Sequence, residues 1–73
     1  MIKILKTNVS DPIVAKYIMR SIISINPSLR VDFYLDDVDR ILRIEGELFE
    51  VETIINCLHK FGHTGIDLPV DLS

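Results

Sequence analysis

The chain has one cysteine, no tryptophan, three glycines and three prolines among 73 residues, and no surplus of positive charge. Each scarcity excludes something. Cys57 alone cannot close an internal disulfide, which agrees with a reducing compartment. With so few glycines and prolines, no linker, repeat or low-complexity stretch divides the chain. Eight Lys and Arg against eleven Asp and Glu give a net charge of −3 and a pI near 5.1. The basic residues are also dispersed, so the clustered cations that release counterions from phosphates are missing and no nucleic-acid partner is expected. No apolar run approaches the roughly 18–20 residues that cross a bilayer, so no membrane insertion is expected. The opening Met1-Ile2-Lys3-Ile4-Leu5-Lys6 alternates instead of forming a signal-peptide core. A cytoplasmic protein is the expectation.

What is present is a globular composition, 48% hydrophobic and 26% charged, far from that of disordered chains. Residues 1–73 read as one domain with a loose tail at 71–73. A domain this short buries only about 60–65% of its unfolded surface, so its stability is modest and a partner surface could matter.

The pattern yields six elements. Residues 2–7 alternate as a strand, with Ile2 and Ile4 inward and Lys3, Leu5 and Thr7 on the other face. In Ser10-Asp11-Pro12, Asp11 or Ser10 caps a helix and Pro12 suits its first turn. Val14, Ala15, Ile18, Ile22 and Ile25 then form an apolar stripe, and Asn26-Pro27 ends the helix. Residues 29–35 alternate cleanly as a half-buried strand, 36–39 are an acidic turn, and 40–45 return as a hairpin arm with Leu42 and Ile44 inward. From Phe49 the period lengthens to that of a second helix, with Val51, Ile54 or Ile55, Leu58 and Phe61 on one side and Gly62 as the left-handed cap. Residues 64–70 offer Ile66, Leu68 and Val70 as a last strand, with Pro69 tolerable only at a sheet edge. The order βαββαβ predicts an α+β, ferredoxin-like sandwich, two helices on one face of a four-stranded antiparallel sheet.

The stretch Val9-Ser10-Asp11-Pro12-Ile13-Val14-Ala15 resembles the metal-binding turn of the heavy-metal-associated domain family, the copper chaperones and the N-terminal modules of metal-pumping ATPases. That pattern runs Met-x-Cys-x-x-Cys-Ala. Val9 stands at the Met position, and Asp11 and Val14 stand at the two cysteines. Residues 40–46 and the segment Leu58-His59-Lys60-Phe61-Gly62-His63 resemble that family's third strand and second helix end. The resemblance spans about residues 2–70 and implies the metallochaperone fold. Without the thiolates that soft ions require, it implies no Cu(I) site.

Candidate sites follow from these placements. Asp11 is first a helix cap, and the resemblance brings the loop after Gly62, with His63, beside the first turn. A carboxylate and an imidazole would suit a borderline ion such as Zn(II), although zinc sites take three or four protein ligands. His59 and Cys57 have no comparable placement, and no base argues for a reactive thiol. Acylphosphatases share the expected architecture, but their loop arginine is missing from Thr7-Asn8-Val9-Ser10-Asp11. Ser10 and His63 lack an orienting group and an oxyanion hole, so no enzyme is expected. Asp36, Asp37 and Asp39 lack the glycine and distal glutamate of a calcium loop and read as a hairpin turn. The open sheet face carries no exposed aromatic pair on its central strands for RNA. It would show Leu5, Tyr34 and Ile41 rimmed by Lys3, Arg30, Asp32 and Arg43, an apolar centre in a charged border that suits an interface. A sheet with one wet face also keeps scattered apolar residues of this kind. The expectation is a binding module with no cofactor, acting on a protein partner or as a homodimer; the alternative is a divergent metal-handling protein using Asp11 and His63.

Overall fold

The computed structural model describes residues 1–69 and contains β1 (Ile2–Thr7), α1 (Pro12–Ile25), β2 (Arg30–Tyr34), β3 (Ile41–Glu45), α2 (Val51–Lys60) and β4 (Gly65–Leu68). The strands form one antiparallel sheet in the order β2-β3-β1-β4. Val70 as a strand residue, and the tail at 71–73, lie outside the described residues.

Local chemistry accounts for the ends of the elements. Asp11 is the N-cap of α1: its Oδ1 accepts from the Ile13 amide at 2.8 Å, and Pro12 follows in the first turn, where a missing N–H costs nothing. Asn26 ends the helix, and the restriction that Pro27 places on its predecessor explains the extended backbone there. The turn between β2 and β3 is held by Asp37, whose Oδ1 accepts from the Asp39 amide at 2.8 Å and whose carbonyl accepts from the Arg40 amide at 3.0 Å. Arg40 adopts φ 47°, a left-handed conformation more often taken by Gly, Asn or Asp, and its guanidinium donates to the Leu35 carbonyl. Gly62 takes φ 77° just past α2, and the Gly62 and His63 amides donate to the carbonyls of His59 and Leu58.

One apolar cluster unites the two helices with one face of the sheet. It holds Leu5 and Val9, Ala15, Ile18 and Ile22 of α1, Leu29, Val31, Leu42 and Ile44, and Ile54, Cys57 and Leu58 of α2. The register pairs Leu5 with Leu42, Leu42 with Phe33, and Ile44 with both Lys3 and Val31. Paired residues share a face, so the covered face carries Lys3, Leu5, Thr7, Val31, Phe33, Leu42 and Ile44. Gly65 belongs to it too. A Cβ there would come within 2.5 Å of Leu58 Cδ1, because α2 lies directly over β4.

The covered face corrects the reading of β1. Ile2 and Ile4 were expected inward and Lys3, Leu5 and Thr7 outward, but Leu5 and Thr7 are buried and the whole strand is turned the other way. Leu5, Thr7 and Val9, each two residues apart, are all buried, and this run sets the parity of the strand. Lys3 remains hydrated by lying at the border of the covered face, where it pairs with Asp67 at 3.4 Å. Two helix-stripe expectations also change. Ile25 is 53% exposed in an open groove between the end of α1 and the start of α2, and Phe61 is 39% exposed at the end of α2, where Cys57 takes the inner position.

Candidate functional site

The first loop is built around a buried threonine. The Thr7 hydroxyl donates to the Arg40 carbonyl at 2.6 Å and accepts from the Val9 amide at 3.2 Å, so a polar group that is 94% buried has both of its roles filled. Val9 is thereby drawn into the core at the position where the family resemblance places Met. Next to it, Asn8 Oδ1 accepts from the Thr64 amide at 2.9 Å and lies 3.1 Å from His63 Nδ1. Asn8 thus ties the loop after β1 to the loop after α2, and His63 meets the first loop through Asn8.

This geometry describes the proposed metal pair directly. Asp11 Oδ1 is taken up by the helix cap, and the His63 ring faces an amide oxygen. Among the described residues no three His, Cys, Asp or Glu side chains gather where an ion could be held. Val14 is half-buried on α1 and offers no donor atom. Cys57 is buried against α1 about two turns further along, with Ser21 Oγ 3.9 Å from its sulfur. The donor set therefore does not fit a soft ion.

The helix-free face of the sheet has a definite pattern. Alternation from the covered residues assigns to it Ile2, Ile4 and Lys6 of β1, Arg30, Asp32 and Tyr34 of β2, Ile41, Arg43 and Glu45 of β3, and Ile66 and Leu68 of β4. Of the residues expected there, Tyr34, Ile41, Arg30 and Arg43 are in place, and Leu5 and Lys3 are replaced by Ile2 and Ile4. Tyr34 stands opposite Ile41, Ile4 opposite Leu68, and Lys6 opposite Ile66. Ile66 and Tyr34 are at least half exposed, and Ile2, Ile4, Ile41 and Leu68 are partly exposed.

The charges of this face lie mostly on β2 and β3. Arg30 pairs with Asp32 at 3.4 Å and Arg43 with Glu45 at 2.8 Å, while Lys6 reaches Asp39 at 3.5 Å. The hydrogen bond from Arg43 holds the Glu45 carboxyl below its usual range and, reciprocally, raises the guanidinium above its own. The face is therefore mainly apolar over β1 and β4, whereas over β2 and β3 the ion pairs share it with Tyr34 and Ile41.

Sequence reasoning missed Ile2, Ile4, Ile66 and Leu68 as members of this face. The alternation in β4 carried the last two, since Ile66 and Leu68 flank Asp67 and must share a side. No family model, curated protein or solved structure matches this chain.

Proposed function

We infer that this chain is a small protein-binding module of the ferredoxin-like class, related in design to the heavy-metal-associated domains but without their thiolate site, and that its contact surface is the helix-free face of the sheet. The observation that carries this reading is the unequal division of that face. Six apolar side chains lie on it, with Tyr34 opposite Ile41 and Ile2 and Ile4 near Ile66 and Leu68, Lys6 stands among them opposite Ile66, and the paired charges of Arg30, Asp32, Arg43 and Glu45 lie over β2 and β3. An apolar centre with a polar border is the usual anatomy of a specific interface. No helix among the described residues is long and apolar enough to cross a membrane, so this apolar surface is not explained by a spanning segment. The role needs no catalytic group, and the binding is to a protein partner or a second copy of the chain.

The alternative, metal handling through Asp11 and His63, finds less support, because each side chain already has a protein partner at the first loop. The interface reading is tested by Tyr34→Glu and Ile41→Glu, which place a carboxylate among the apolar side chains of the face while leaving the covered core untouched. Circular dichroism should be that of the parent protein for both variants. Partner capture, or self-association in sedimentation, should fall by at least about tenfold if each carboxylate meets a desolvated surface. Unchanged association in both variants would remove the sheet face as the contact surface.

A further inference from the structure

The outer side of α1 presents a second surface, of different chemistry from the sheet. No acidic residue occurs between Asp11 and Asp32, so the whole helix carries only cations, Lys16 and Arg20, and both are exposed. Their spacing of four residues stacks two like charges on one side, which weakens a helix, and its first turn offers no acid to offset them. No carboxylate among the described residues forms an ion pair with either. Large apolar side chains accompany them outward: Ile13 is 66% exposed, Tyr17 56% and Ile23 38%.

The arrangement of these groups narrows what could cover them. One shallow groove is lined by Pro12, Ile13, Lys16, Tyr17 and Arg20, and a second by Lys16, Met19, Arg20, Ile23, Ser24 and Pro27. Lys16 and Arg20 border both. They form a central cationic ridge with an apolar trough on either side. A lipid surface asks for the reverse, an apolar centre that enters the acyl region and cations at the rim that reach the headgroups. Seating this face in a bilayer would bury the two charges first.

The geometry points to an acidic amphipathic segment of a partner protein as the occupant of this face. Such a segment would present two carboxylates about one helical turn apart to Lys16 and Arg20, and bulky apolar side chains to the troughs on both sides. The pairing would supply the negative charge that α1 lacks.

The test uses the full chain, isotopically labelled, titrated with a synthetic amphipathic helix bearing glutamates at positions i and i+4 flanked by leucines. Matched peptides carry glutamine or lysine at the same two positions. Amide shifts should be confined to residues 13–26, and the glutamate peptide should bind at least about tenfold more tightly than the glutamine one. The variant K16E/R20E, whose substitutions lie on the exposed side of the helix, should lose the glutamate peptide and gain the lysine peptide. That reversal is the result expected of charge recognition on this ridge. Equal binding of the glutamate and glutamine peptides, shifts located on the sheet, or no binding would overturn the proposal. So would preferential binding to phosphatidylserine vesicles. Self-association that K16E/R20E abolishes would overturn it in favour of a second copy of the chain.

Discussion

Leu5 and Ile4 are adjacent in sequence, similar in size, and on opposite faces of the central strand β1. Leu5 is fully buried against Leu42, and Ile4 lies partly exposed opposite Leu68. A lysine at position 5 would place an unpaired charge in the core, at a cost of several kcal/mol. The whole domain is expected to have roughly 4–11 kcal/mol of stability, from about 0.05–0.15 kcal/mol per residue. Leu5→Lys should therefore populate the unfolded state heavily, while Ile4→Lys should cost about 1 kcal/mol, because its charge can reach solvent from the open face. Urea denaturation of the two variants checks this. If Ile4→Lys proved the more damaging, the face assignment of β1 would be reversed. The local pattern was ambiguous here because Ile2 and Ile4 alternate with Lys3 as convincingly as Leu5 alternates with Lys6. What decides is longer-range: the period continues through Thr7 to Val9, and Thr7 is acceptable in the core only because Arg40 and Val9 complete its hydrogen bonds. The Arg40 partner is 33 residues away and could not be read from the strand itself.

At the scale of elements, the signals that proved readable were local and chemical. Asp11-Pro12 marks the start of α1, Asn26-Pro27 its end, and Gly62 the end of α2, since each depends on a few consecutive residues. Ile25 and Phe61 were misjudged for the opposite reason. They continue the apolar stripes, but they stand where the helices run past their neighbours, and periodicity does not reveal how far the covering surface extends. The first turn of α1 also tests the likeness to metal-binding domains. If Asp11 and Val14 occupy the two ligand positions of that family, the double substitution Asp11→Cys, Val14→Cys should create a Cu(I) site, because thiolates select that ion and a helix N-terminus favours the thiolate. Loss of the cap costs about 1 kcal/mol, so the variant should remain folded. A competition titration against a Cu(I) chelator, with each single variant as control, measures the outcome. A folded double variant that competes no better than either single one would remove the likeness at this turn.

For the whole molecule the question is which forces carry the stability. The four ion pairs among the described residues, Lys3–Asp67, Lys6–Asp39, Arg30–Asp32 and Arg43–Glu45, all have both side chains at least a quarter exposed. Pairs of this kind contribute about 0–1 kcal/mol each and are screened by salt. The buried side chains instead form one cluster spanning both helices and the sheet, with Leu5, Ile18, Ile22, Leu42, Ile44, Ile54 and Leu58 all under 2% exposed. A chain with a single core should unfold as one cooperative unit. Raising sodium chloride to about 1 M, where the screening length is roughly 3 Å, should therefore shift the melting temperature by only a few degrees. Leu42→Ala removes side-chain volume where β3 meets both Leu5 and Phe33, and should cost about 2–5 kcal/mol. At about 4–8 °C per kcal/mol for a domain of this size, that is a fall on the order of 10 °C or more. Calorimetry of the parent protein at both salt concentrations and of the variant compares the two forces directly. A melting temperature that collapses in salt while Leu42→Ala leaves it nearly unchanged would mean that the exposed charges, and not the cluster around Leu42, hold the sheet to its helices.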